Sequence, residues 1–285
     1  MAGTLLLTGA EGFTGGHLAR AARQQGYSVH ALAADITDAR AVEQELATQH
    51  FDYVVHLAAI SAVTHADELA LYQVNLFGTL NLLQGLLAMD PPPRKVIIAS
   101  SANIYGNSAA SPLAEDTPPA PVNHYAMSKL AMEHMSATFA DYLPLVTTRP
   151  FNYTGVGHDE RFVVPKLVRH FREKQPAVEL GNLEVEREFN DVRGVCLNYL
   201  ELLQHGSPGE AYNLCSGVTY SLREVVDILS GITGHTLELR VNPAFIRPNE
   251  VHRLCGDPGK LRECIGDVPH PHLRDTLSWM LDSRD

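Results

Sequence analysis

A doubly wound α/β fold, a parallel sheet covered by helices on both faces, is what this sequence predicts, and three observations predict it. The apolar run TLLLTG (4–9) stops at a glycine, and after a tight turn an amphipathic stretch, FTGGHLARAARQQG (13–26), begins. Short apolar runs and stretches of helical periodicity then alternate through the first 150 residues. The 285 residues are 45% apolar, enough to bury both faces of a large sheet and to support a smaller lobe.

Taken in order, residues 4–9 read as a strand and 13–26 as a helix closed by Gly26. YSVHALAA (27–34) is a second strand, DARAVEQELATQH (38–50) a helix and FDYVVHLAA (51–59) a third strand. LALYQVNLFGTLNLLQGLLAM (69–89) is a long helix that DPPP stops, since proline has no N–H to continue it. RKVIIASS (94–101) is the fourth strand, and NHYAMSKLAMEHM (123–135) lies in a helix reaching residue 141. Further on, FNDVRGVCLNYLELLQHG (189–206) and EAYNLCSG (210–217) read as a helix and a strand returning to the main sheet. The sheet domain is therefore expected at 1–150 plus about 188–218, and a discontinuous lobe at about 151–187 plus 219–285. The helices 68–89 and 123–141 are long and apolar enough to pair with a second subunit, which predicts a homodimer; a face buried within the chain would look the same.

Composition excludes several classes of function. A net charge of −11 argues against a nucleic-acid surface, and the densest basic stretch, KLVRHFREK, reads as a solvated helix face. No apolar run approaches the roughly 18 to 20 residues that span a bilayer, and the opening MAGTLLLTGAEGF carries no leader pattern, so a cytoplasmic protein is expected. Four cysteines without a CxxC suggest neither disulfides nor zinc. His270 and His272 in VPHPHL lack an acidic or cysteine partner at ligand spacing, so no metal site is expected.

Gly9-Ala10-Glu11-Gly12-Phe13-Thr14-Gly15 sits between the first strand and helix, a GxxGxxG spacing. Glycines there allow a tight turn and a close approach of backbone to a pyrophosphate, which the helix N-terminus attracts through free N–H groups and its positive dipole end. Asp35 stands about where a carboxylate accepts from the adenosine ribose, and with Ile36 it alternatively contacts adenine. No Arg adjoins it to hold a 2′-phosphate, which favours NAD over NADP. Ser100 and Ser101 fall at the end of the fourth strand, and Tyr125-x-x-x-Lys129 puts a phenol and an ammonium on one helix face. The Lys129 ammonium together with the cofactor's positive charge is expected to lower the phenol pKa from about 10.

With TGAEGFTGG, HLAA, VNLFGT, SSANIYG and YAMSK in this order, the chain resembles the extended short-chain dehydrogenase/reductase family over essentially its whole length. The resemblance implies that Ser101, Tyr125 and Lys129 form the catalytic triad and that Asn75 lies on the helix supporting the lysine. It implies that His56, Leu57, Ala58 and Ala59 line the cofactor's path, and that Arg149 belongs to the cofactor side. TRPFNYTGVG (148–157), LGNLEVEREFNDVRG (180–194) and NPAFIRPNEVHRLCGDPGKLRECIG (242–266) look like the sugar-nucleotide members, most of all the bacterial GDP-4-dehydro-6-deoxy-D-mannose reductases.

By that resemblance Asn152, Arg187 and Arg247 hold the substrate diphosphate, Glu250 accepts from the guanosine ribose, and Asn182 and Leu183 flank the base. Asn103 and Val163 are placed on the substrate side in the same way. An ion pair of Arg187 with Glu186 or Glu188 is the rival reading of that arginine. Ala102 and Asn103 stand where the related dehydratases carry acidic residues, which disfavours elimination and leaves reduction of a C4 ketone. The expected reaction takes GDP-4-dehydro-6-deoxy-D-mannose to GDP-D-rhamnose with NAD(P)H. A GDP-6-deoxy-D-talose product, a nucleotide-sugar 4-epimerase with tightly held NAD, and a dinucleotide sensor without catalysis are the alternatives.

Overall fold

The computed structural model describes residues 2–61, 67–246 and 251–283. In chain order the first half runs β1 (Gly3–Thr8), α1 (Phe13–Gln24), β2 (Tyr27–Ala31), α2 (Ala39–Leu46), β3 (Tyr53–His56), α3 (Glu68–Tyr72), a π-helical turn (Gln73–Gly78) and α4 (Thr79–Leu87). It continues with β4 (Lys95–Ala99), a 3₁₀ turn (Ala102–Tyr105), α5 (His124–Ala137) and β5 (Leu145–Pro150). The second half holds β6 (Tyr153–Thr154), α6 (Val163–Arg172), β7 (Ala177–Leu180), β8 (Glu186–Arg187), β9 (Asn190–Asp191) and α7 (Val192–His205). It ends with β10 (Ala211–Leu214), β11 (Tyr220–Ser221), α8 (Leu222–Thr233), β12 (Glu238–Val241), β13 (Arg253–Leu254), α9 (Gly259–Ile265) and α10 (Leu273–Asp282).

The central sheet has the order β10-β5-β4-β3-β1-β2 with every pairing parallel. Alternation along each strand makes both faces apolar. Leu5, Leu7, Val55, Ile97 and Val146 pack beneath α1 and α7, whereas Leu6, Val54, Val96 and Ile98 pack beneath α2, α4 and α5. A separate core gathers Leu167, Phe171, Val225, Leu229 and Leu277 from α6, α8 and α10. The strand order reverses between β1 and β3, and open α/β sheets bind ligands at the carboxyl ends beside such a point.

Two boundaries differ from expectation for local reasons. The second strand stops at Ala31, because the N–H groups of Ala33 and Ala34 donate to the Glu45 carboxylate instead of extending a ladder. The helix expected at 69–89 contains the π turn, which widens the backbone around Asn75. Among the described residues no helix is long and apolar enough to cross a membrane.

Candidate active site

A cavity of about 490 Å³ opens at the carboxyl ends of β1, β3, β4 and β5, between the glycine loop and the segment after β5. Two glycines of its wall leave no room for a side chain. Gly9 has φ +68°, and a Cβ there would lie 2.8 Å from the Ala58 nitrogen; one on Gly15 would lie 2.1 Å from the Gly9 carbonyl oxygen. Gly12 donates to that same carbonyl (3.1 Å), closing the turn. The N-terminus of α1 has no side-chain cap and no acidic residue in its first turn, so its N–H groups face the cavity with positive partial charge. Ser100 also lines it, with its Oγ buried and without a hydrogen-bond partner among the described residues. These features fit the pyrophosphate and nicotinamide ends of a dinucleotide.

Opposite the loop, Ser101 caps the 3₁₀ turn, and its Oγ accepts from Asn103 N (3.2 Å) and Asn103 Nδ2 (3.1 Å). With two donors aimed at it, the hydroxyl is left to give its own proton outward. Tyr125, in the first turn of α5, is 8% exposed and lies beside the Ser101 hydroxyl. The Asn123 side chain starts this helix by accepting from Ala126 N at 2.8 Å. One turn on, Lys129 Nζ donates to the Ala99 carbonyl at the end of β4 (2.7 Å).

Burial dominates the electrostatics of the pair. Tyr125 has a pKa raised from 10, because burial outweighs the lowering by the neighbouring Ser101 hydroxyl, and the Lys129 ammonium is turned to the Ala99 carbonyl. Burial pulls Lys129 down to about 8, against the opposing pull of Glu133. The phenol therefore keeps its proton at neutral pH and has one to give.

The segment after β5 covers the glycine loop. Phe13 stacks on His158 (centroids 4.4 Å), His158 on Phe162 (4.3 Å), and the Tyr153 hydroxyl is hydrogen-bonded to Thr14 Oγ1 (2.8 Å). Tyr153, His158, Asp159, Arg161 and Phe162 all line the cavity. Residue-by-residue reading missed these five; the signal was their place, directly after the strand end that carries Arg149 and Pro150.

Of the residues singled out from sequence, Gly9, Gly12, Phe13, Thr14, Gly15, Leu57, Ala59, Ser101, Asn103, Tyr125, Lys129 and Asn152 share this one cavity. Others lie elsewhere. Asp35 accepts from Thr37 N and Oγ1, and Ile36 is buried in the core beneath α4. Ala58 donates its N–H to Thr8 Oγ1, and Asn75 is wholly buried behind the wall. Arg149 grips Glu133 through two bonds (2.8 and 3.1 Å) and also donates to Tyr105 and to the Glu115 carbonyl. Val163 and Leu183 pack in or against the second core, and Asn182 accepts from Glu184 N. Arg187 donates to the carbonyls of Glu186, His252 and Val251. Arg247 and Glu250 lie outside the described residues. Among the described residues no His, Cys, Asp and Glu cluster could hold a metal.

The pattern of the NAD dependent epimerase/dehydratase family matches residues 5–215. A GDP-6-deoxy-D-talose 4-dehydrogenase of Aggregatibacter actinomycetemcomitans is 34% identical, over 98% of this chain and 97% of its own. A GDP-6-deoxy-D-mannose reductase of Pseudomonas aeruginosa is 36% identical over 81% of this chain and 79% of its own. Among solved structures, RMD from Pseudomonas aeruginosa complexed with NADPH superposes with a TM-score of 0.91 at 32% identity, covering 98% of this chain and 97% of that one.

Proposed function

The chain belongs to the NAD dependent epimerase/dehydratase family and is an NAD(P)-dependent oxidoreductase, and from that premise we propose that it reduces the C4 ketone of GDP-4-dehydro-6-deoxy-D-mannose, giving GDP-D-rhamnose. The observation that carries the reading is the convergence of Ser101, Tyr125 and Lys129 on the glycine-walled cavity without a carboxylate partner. Among the described lining residues the one carboxylate is Asp159, exposed and paired with Arg161 at 2.8 Å. Elimination of water needs a positioned acid and base; Ala102 has neither, and the Asn103 amide is committed to Ser101.

When bound, the reduced nicotinamide supplies the hydride for C4. The chain does the rest. Ser101 Oγ donates to the C4 oxygen and holds it beside Tyr125, whose retained proton passes to that oxygen as negative charge develops. Lys129, anchored on β4, fixes the distance between the strand end and the helix carrying Tyr125. Asn152 and Arg161 face the same cavity and are available to the sugar and diphosphate. In this reading residues 1–150 plus about 188–218 serve the dinucleotide, and about 151–187 plus 219–285 serve the GDP-sugar.

The names of the two relatives differ in configuration at C4, and that sets the test. The ketosugar, made in situ from GDP-mannose by a 4,6-dehydratase, is supplied with NADH and NADPH in separate reactions. Nicotinamide oxidation with one or both is expected, and proton NMR assigns the product as D-rhamnose or 6-deoxy-D-talose. Absence of oxidation with either cofactor refutes the reading.

We also propose a homodimer. Leu69, Phe77 and Met127 are 73%, 54% and 42% exposed, and they belong to α3, the π turn and α5, which pack side by side. Large exposed apolar side chains grouped on adjacent helices mark an interface. Light scattering should give twice the chain mass for the wild type and a single mass for the double variant Leu69→Glu, Phe77→Glu; a monomeric wild type removes the proposal.

A further inference from the structure

Beneath the cavity runs a chain of buried polar groups that no step above uses. Thr8, His56, Asn75, Thr79 and Ser128 are each at most 2% exposed. Ala58 N donates to Thr8 Oγ1 (3.0 Å), and Thr8 Oγ1 meets His56 Nδ1 at 2.7 Å. On the other ring edge His56 Nε2 meets Thr79 Oγ1 at 2.8 Å, and Thr79 Oγ1 donates to the Asn75 carbonyl (2.7 Å). The Asn75 side chain then accepts from Ile60 N (2.9 Å) and donates to Ile60 O (3.2 Å) and Ser128 Oγ (3.0 Å). Ser128 Oγ donates to the Tyr125 carbonyl at 2.8 Å.

Donor counting fixes the direction of the central links. A carbonyl only accepts, so the one Thr79 hydroxyl proton goes to Asn75 O, and His56 Nε2 must be the donor to Thr79. The ring is neutral, because burial and the nearby Lys129 charge press its pKa down to about 3. Nδ1 is then an acceptor, the Thr8 hydroxyl its donor, and the Ala58 N–H fills the Thr8 oxygen. Protonation at Nδ1 would deprive the Thr8 hydroxyl proton of this acceptor. Half-satisfied buried networks are costly, and this one has a partner at every link.

The two ends of the chain of bonds are functional surfaces. Ala58 and Ile60 hold the backbone on which Leu57, Ala59 and Ser61 line the cavity, and Ser128 lies in the helix of Tyr125 and Lys129. We propose that His56 is a positioning residue, locked as the Nε2–H tautomer, which ties the strand leading into the glycine loop to the 57–61 cofactor wall and to the catalytic helix as one unit. The proposal rests on the cofactor reading of the cavity and is independent of which sugar is reduced.

Two experiments on the full-length protein test it. In protein labelled with ¹⁵N-histidine, a neutral Nε2–H signal that does not titrate between pH 5 and 8 is expected, and it should vanish in His56→Gln. An Nδ1–H tautomer, or titration in that range, overturns the proposal. If the Gln variant does not fold, loss of the signal in His56→Asn serves the assignment. The second experiment measures reduced-dinucleotide affinity by fluorescence in Thr8→Val, Ser128→Ala and the double variant, which alter groups sharing no bond with each other. Each single change should weaken binding about five- to tenfold, and the double should be no weaker than the worse single, because one break already uncouples the unit. Multiplying effects would show that the groups act separately and overturn the proposal. Binding is read per folded molecule, and the outcome does not depend on any sugar being turned over.

Discussion

Tyr125→Phe should reduce turnover by about 10³-fold while leaving dinucleotide affinity within about twofold. The phenol lies beside Ser101 in the cavity wall, and removing its hydroxyl deletes the proton without changing ring packing. The size follows from the general worth of a positioned acid. Tyr153 lines the same cavity, but its hydroxyl is bonded to Thr14, so it is not a ready substitute. Steady-state rates with the ketosugar, together with fluorescence titration of the cofactor, check both halves of the expectation. A variant with wild-type turnover would remove Tyr125 from the chemistry.

Gly15→Ala should abolish measurable dinucleotide binding and lower stability by about 2–3 kcal/mol. The added carbon would stand 2.1 Å from the Gly9 oxygen and 2.6 Å from the Ala10 Cα. Both obstacles are backbone, so neither can rotate aside. The turn must open, and its opening moves the N–H groups aimed at the pyrophosphate. Gly16→Ala is the control on the adjacent residue, since a Cβ there meets nothing nearer than the Ala10 oxygen at 4.0 Å; it should bind and melt like the wild type. Thermal melts and titrations of the pair decide the matter, and equal behaviour of the two variants would contradict the close-packed turn.

The sheet was legible because parallel strands buried on both faces read as continuous apolar runs, and LLL, YVV and VII do. Tyr125 and Lys129 were legible because four residues make one helical turn, and their strand-end and glycine-loop companions fall at the carboxyl side that this topology prescribes. What stayed hidden depends on contacts between distant segments. Nothing local in TRPFNYTGVGH announces that His158 will stack on Phe13, because the stack exists only once β5 lies beside the glycine loop. The anchoring of Lys129 stayed hidden for a related reason. Spacing puts the lysine on the correct face, but the free carbonyl of Ala99, a neighbour in space, captures the ammonium. Arg149 reads as a ligand-binding cation at a strand end, yet Glu133 one helix away pairs with it through both oxygens. The histidine of HLAA reads as a wall residue, whereas its two ring nitrogens turn inward to threonines of β1 and of α4.

The most direct measurement of the central claim is isotope transfer. Reduced nicotinamide carrying deuterium on the transferred position is given to the enzyme with GDP-4-dehydro-6-deoxy-D-mannose, and the sugar product is examined by NMR. Hydride delivery in this cavity predicts one deuterium, bound at C4 of a GDP-6-deoxyhexose, with one cofactor oxidised per sugar. A product without deuterium at C4, or sugar conversion that proceeds with no reduced cofactor added, would contradict it.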